Sequence, residues 1–230
     1  MRNLKILLPI FLFIFLIFSC SNDSSENLPP TDPDGETGTI DSTTTSSEIY
    51  EPIQYDNLYA PPDSPFVKFS FTEGEIVKGD NWDIAFQTTT IIVNGGEKVI
   101  DKPGSIERTG DAALVLEKGS FKSAKEAPVD FKFLQDAEGV YALDKGPYAY
   151  NPWYIYTGPP DHLVKPLSGK VLFIKTHDGH YVKMEILSYY KDLLDITDPT
   201  ISQPSFDVTR FYTFRYVYNP NKGDKNLQSI

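Results

Sequence analysis

Lys170 to Ile186, KVLFIKTHDGHYVKMEI, decides the fold class. Two runs rich in β-branched and aromatic residues flank Asp178-Gly179, a dipeptide favoured in two-residue type I′ turns. This predicts a β-hairpin in which Val171 faces Ile186, Phe173 faces Met184 and His177 lies opposite His180. Val171, Phe173, Val182, Met184 and Ile186 are then expected on one buried face, interrupted by Lys175. Met184 is read as core, the commoner role of a methionine in such a strand.

Outward from the hairpin the pattern stays short and extended. Phe66 to Phe71, Leu114 to Leu116 and Val129 to Leu134 are candidate strands. Trp82 to Phe86 and Thr88 to Val93 form another pair, closed by Asn94-Gly95-Gly96, a plausible hairpin signal. Val182 to Tyr190 and Phe211 to Tyr218 are the last long strands and are expected to be neighbours. No long amphipathic helix and no internal repeat are visible. The expectation is an all-β domain, a sandwich or open barrel, over residues 49–220, followed by a flexible tail over 221–230.

Ahead of that domain the chain reads as an address. Arg2 and Lys5 precede an apolar run, Leu7 to Phe18, too short to span a bilayer comfortably. Residues 1–19 are expected to be a secretory signal. The Ile17-Phe18-Ser19-Cys20 segment resembles a bacterial lipobox, so Cys20 is the expected lipidation site and the membrane the expected anchor. It is the single cysteine of the chain, which excludes an intrachain disulfide. Residues 20–48 are Ser, Thr, Asp, Pro and Gly with almost no large apolar side chain, the composition of a disordered tether. Asp23 and Glu26 within it resemble the acidic export tag of Bacteroidetes surface lipoproteins. The formal net charge of −11 repels phosphate backbones and disfavours nucleic acid as a partner.

The chemistry-bearing residues are few. His177 and His180 would stand roughly 5 Å apart across the turn. Two imidazoles there can hold a transition metal or can simply be solvated turn residues, and no third ligand is evident. No G-x-S-x-G, H-E-x-x-H, Walker loop or Cys–His pair is present, so nothing supports an enzyme. The run from Gly146 to His162, GPYAYNPWYIYTGPPDH, is different. Tyr148, Tyr150, Trp153, Tyr154 and Tyr156 are aromatics with polar ends, suited to a partly wet surface. A short strand over Trp153 to Thr157 would put Tyr154 and Tyr156 on one face and Trp153 on the other. Such a wall can either bind a flat apolar ligand or cap the sandwich core. Tyr and His are both known haem-iron ligands.

Asn81-Trp82-Asp83-Ile84-Ala85-Phe86, followed by Asn94-Gly95-Gly96, resembles the signature of the HmuY family, haem-binding lipoproteins of Bacteroidetes. Val182 to Asp192 and Phe211 to Pro220 resemble that family's last two strands in order and spacing. The resemblance covers most of Phe66 to Pro220. It implies an all-β fold with haem in a cleft formed by finger-like loops. It also implies passage of haem to an outer-membrane receptor. By the same resemblance one axial ligand falls between Asp136 and Tyr150, which contain neither His nor Met, and the second near Thr157 to Leu163, where His162 lies.

These readings converge on a surface-exposed outer-membrane lipoprotein that binds haem and contributes to iron acquisition. His162 is the expected iron ligand. Tyr148, Tyr150, Tyr154 or Tyr156 would supply the opposite ligand or stack on the porphyrin, with Trp153 in the same wall. The alternative is a non-enzymatic accessory lipoprotein on the same scaffold that binds another ligand or a protein partner.

Overall fold

The computed structural model describes residues 48–99, 104–143 and 150–230. The expected signal, the Cys20 lipidation site, nearly all of the tether and Tyr148 lie outside the described residues.

Strands account for almost all regular structure, and the fold is all-β. One antiparallel sheet is built from β1 (Ile53–Tyr59), β6 (Ala113–Lys118), β9 (Lys170–Lys175), β10 (Tyr181–Tyr190) and β11 (Thr209–Asn219), in the order β1-β11-β10-β9-β6. A second contains β2 (Val67–Ser70), β3 (Glu75–Ile76), β4 (Ile84–Gln87) and β5 (Thr90–Val93), in the order β3-β2-β4-β5. A small pair, β7 (Tyr154–Tyr156) with β8 (Val164–Pro166), stands apart from both. The pairing of β10 with β11 agrees with the sequence reading.

The two sheets sandwich the main core. Phe69, Phe86 and Ile91 from one meet Met184, Tyr212 and Phe214 from the other, all fully or almost fully buried. Edge-to-face and stacked rings fill the layer, with Phe69 and Phe214 centroids 5.2 Å apart. Both sheets are also covered on their outer faces. Val171, Phe173 and Val217 pack under Phe121 and Leu227, while Trp82, Ala85 and Ile92 pack against Phe66 and Val99. Two-sided burial explains why β4 and β5 read as continuous apolar runs rather than clean alternations.

Three expectations change here. The hairpin register is one residue off the type I′ prediction: Lys183 pairs with Phe173 and Met184 with Leu172. The loop holds three residues, closed by Gly179 N–H donating to Thr176 O at 3.1 Å, with Gly179 in the left-handed region at φ 93°. Thr176 Oγ1 enforces it, donating to Asp178 Oδ1 at 2.6 Å and accepting from His180 N at 2.7 Å. A one-residue slip moves side chains between faces. Val171 and Phe173 therefore face the outer cluster while Val182, Met184 and Ile186 face the main core.

Second, Asn94-Gly95-Gly96 does not turn a hairpin. The β4–β5 turn is Thr88-Thr89, between the paired Gln87 and Thr90. Gly95 instead lets two chains touch: a Cβ there would stand 2.0 Å from the carbonyl oxygen of Ala112. Likewise Val129 to Leu134 is not a strand but a 3₁₀ turn at Asp130–Lys132, with Phe131 exposed.

Third, 221–230 is no flexible tail. Leu227 is fully buried, Tyr50 N–H donates to Gln228 O at 2.8 Å, and Leu227 N–H donates to Lys125 O at 2.8 Å. The buried Lys183 ammonium clamps this region, donating to Phe121 O, Ala124 O and Ser229 Oγ at 2.8–3.0 Å. Burial pulls Lys183 down to about 8.

Candidate functional site

The Asn81-to-Gly96 motif folds into a hydrogen-bond hub. Asp83 is fully buried. Its Oδ2 accepts from Phe71 N at 2.8 Å, and its Oδ1 accepts from His177 N at 2.9 Å and lies 2.7 Å from His177 Nδ1. Asn94, also fully buried, donates to Asp80 O and Trp82 O and accepts from Thr109 N and Gly110 N. These two polar residues tie the second sheet to the β9–β10 turn and to the segment before β6. A buried carboxylate is tolerated because each oxygen meets a donor.

The same contacts revise the two-histidine reading. His177 and His180 do not form a pair. His180 Nδ1 turns to Asp178 Oδ1 at 2.9 Å. Asp83, His177 and Asp178 instead bring one potential ligand atom each within 4.8 Å of one another, a carboxylate arrangement that sequence spacing concealed. Asp83 already spends both oxygens on N–H donors, so the cluster acts as a tie between sheets. The His177–Asp83 hydrogen bond raises His177 above its ordinary value. A cleft of about 620 Å³ opens beside this turn, lined by Asp111, Asp130, Lys175, Lys222 and Lys225 among others. Its mixed charges, including a Lys225–Asp130 pair at 2.8 Å, do not suit a flat apolar ligand.

The aromatic run divides. Trp153 and Tyr154 are buried in the main core, not displayed on opposite faces of an exposed strand. Their polar ends make this possible. Trp153 Nε1 donates to Thr89 O at 3.2 Å, and Tyr154 Oη to Thr89 Oγ1 at 3.3 Å, both at the β4–β5 turn. Tyr150 is fully exposed and lies beside Leu116 and Asn151, at a different depression. Tyr156 is exposed, and the loop after it carries His162 back onto it.

That loop is fixed by its own backbone. Thr157 N–H donates to Leu163 O at 2.9 Å and Leu163 N–H to Thr157 Oγ1 at 2.9 Å, closing the β7–β8 hairpin. His162 N–H donates to Gly158 O at 2.8 Å, with His162 itself at φ 52°. Its Nδ1 is hydrogen-bonded to Tyr156 Oη. Nε2 has no partner among the described residues, and His162 lines an open cleft of about 530 Å³, within the usual range of small-molecule sites.

Tyr189 and Tyr190, at the end of β10, form another part of the lining, the loop before β11 supplies Phe206, and the start of β11 supplies Arg210. Burial pushes both Tyr189 and Tyr190 up, so they present neutral phenols. Tyr190 Oη accepts from Val164 N at 2.8 Å, which fastens β8 to the sheet. Gln203 N–H donates to Asp161 O at 3.0 Å, which fastens the second loop to the first. Of the expected site residues that are described, only His162 and Tyr156 line this cleft. Tyr189, Tyr190, Phe206 and Arg210 were missed. Only the adjacent tyrosines hinted at the site, and they read equally well as strand core.

As a haem site the cleft offers one strong nitrogen donor, flat aromatic walls and no second imidazole or thioether among its lining residues. The donor set fits a porphyrin held through a single histidine.

Several solved structures are similar to this chain. Apo PinO from Porphyromonas gingivitis is 12% identical, with a TM-score of 0.46 over 73% of this chain and 97% of its own. An HmuY-like protein from Bacteroides vulgatus is 15% identical, with a TM-score of 0.39 over 72% and 89%. The apo HmuY analog of Tannerella forsythia is 15% identical, with a TM-score of 0.38 over 76% and 100%. No curated protein matches the sequence. The HmuY protein family model matches residues 63–207, more than half of the sequence, and the chain belongs to the HmuY family.

Proposed function

We propose that this protein is a haem-binding surface lipoprotein that captures haem for iron acquisition. The observation that carries the reading is the His162 cleft. An imidazole held through Nδ1 by Tyr156 stands in the lining of an aromatic-walled opening of about 530 Å³ and leaves its other nitrogen without a partner among the described residues. With Nε2 on iron, Nδ1 carries the proton and Tyr156 Oη accepts it, an arrangement that fixes the tautomer and the ring. Tyr189, Tyr190 and Phe206 supply faces and edges against which a macrocycle packs. Membership of the HmuY family supports the same reading, and it supports a binding protein rather than an enzyme.

Lipidation at Cys20, a tether through about residue 48, an outer-membrane surface location and delivery to a membrane receptor complete the proposal. They rest on the sequence alone. The test is a haem titration followed by absorbance in both oxidation states. His162→Ala is expected to lose the histidine-ligated spectrum and at least tenfold in affinity. Identical spectra and affinities for wild type and variant would remove His162 from the iron.

A second reading, an accessory protein that binds a different ligand, is favoured by the burial of Trp153 and Tyr154, which takes two rings out of the expected wall. A saturable Soret shift at low micromolar haem excludes it.

A further inference from the structure

We infer that the His162 cleft selects flat ligands bearing a carboxylate, and that Arg210 is the residue that reads it. The inference rests on the haem reading of this cleft, because haem carries two propionates on a flat body.

Three arginines lie within the described residues. Arg108 pairs with Asp136 at 2.6 Å and Arg215 with Glu185 at 2.6 Å. Arg210 has no carboxylate partner among the described residues. Its Nη1 donates to Thr209 Oγ1 at 3.0 Å, and its guanidinium carbon lies 4.8 Å from the centre of the Phe206 ring. Asp207, its near neighbour in sequence, is held by Ser205 and has Lys191 as its nearby cation. In a chain with 32 acidic and 21 basic residues, an arginine without a carboxylate is the exception.

The cleft around it is built to match. Among the described residues none that lines it is Asp or Glu, and Arg210 brings the only fixed charge there. A guanidinium has five N–H donors in a planar fork, and Thr209 takes one. The Phe206 ring lies against the guanidinium carbon, and a planar fork can meet a carboxylate through two parallel N–H groups, which a lysine ammonium cannot. The backbone pays attention to the same place. His162, Gln203 and Arg210 all line the cleft, and all are non-glycine residues in the left-handed region, at φ 52°, 49° and 69°. Such conformations are uncommon for L-residues. Their concentration around one opening is what a preorganised binding site shows.

The experiment titrates the purified protein with haem and with haem dimethyl ester, which keeps the iron and the ring but blocks both carboxylates. Wild type is expected to bind haem about tenfold or more tighter than the diester. Arg210→Gln is expected to lose that preference by weakening haem alone, while Arg210→Lys recovers only part of it. Equal affinity of wild type for the two ligands overturns the inference without any variant, so a misfolded Arg210→Gln cannot obscure it. Retention of the full preference in a folded Arg210→Gln also overturns it and leaves the haem reading intact. No saturable binding of either ligand to wild type overturns both.

Discussion

The turn before β10 sets His177 against a buried carboxylate, whereas the loop facing the far end of β10 holds His162 by a single phenol. Ten residues separate the two ends of that strand, about 30 Å of extended chain. At the His177 end the polar groups answer one another: Asp83 takes three N–H groups, Asp178 meets Thr176 and His180, and Asn94 satisfies both its amide ends. At the His162 end an imidazole nitrogen and most of a guanidinium lack partners among the described residues, and three backbone positions are left-handed. Satisfied polar networks specify a fold, and unsatisfied donors beside an opening leave capacity for a ligand. The same residue type thus serves as scaffold at one end and as candidate ligand at the other, and only the surroundings tell them apart.

The sharpest way to break this comparison is to remove one group from each end. Asp83→Ala leaves three donors around a buried gap and is expected to cost about 4–5 kcal/mol, read as a drop in the urea midpoint. His162→Ala removes an exposed side chain and is expected to change stability by no more than about 0.5 kcal/mol. If the two variants lose similar stability, the division between scaffold and site is wrong. A second contrast lies within the aromatic run. Trp153→Ala empties a core position and forfeits the bond to Thr89, with an expected cost of about 3–4 kcal/mol. Tyr156→Ala is expected to cost less than about 1 kcal/mol and to weaken haem binding, because His162 loses its orienting partner. Haem affinity that is unchanged in Tyr156→Ala would detach the phenol from the site.

How much of this was legible in the sequence depends on what each residue had to face. Long runs such as Val182 to Tyr190 and Phe211 to Tyr218 announced themselves, because β10 and β11 are central strands with apolar cover on both sides. β1 gave no such signal. It is an edge strand, mostly exposed, interrupted at Asn57 with φ 57° and a register shift. The Asp178-Gly179 dipeptide signalled the right turn location and the wrong register, because Thr176 contributes a hydroxyl that favours the three-residue loop. At the site, His162 could be named from its chemistry and its place among turn residues. Arg210 could not, since only the topology brings the start of β11 beside the β7–β8 loop. Trp153 and Tyr154 misled for a related reason: the acceptors that let them be buried belong to Thr89, far away in the chain.

The smallest expected effect concerns protons, and it sharpens the contrast between the two ends. The hydrogen bond to Asp83 is the main cause that raises His177 above its ordinary value, with burial opposing it. A group whose value is raised on folding binds its proton more tightly in the folded state. Its stabilising contribution is complete below the ordinary histidine range, about 6.5, and is lost as pH rises through the folded value. Wild type should therefore lose stability between pH 6 and pH 8.5 through this pair. His177→Gln keeps a polar side chain at the turn but cannot titrate, so its loss over the same interval should be smaller, as measured by urea midpoints at the two pH values with unchanged slopes. If His177→Gln loses as much stability as wild type over that interval, the coupling between protonation and fold does not run through the Asp83 pair, and the scaffold role given to this end of β10 fails.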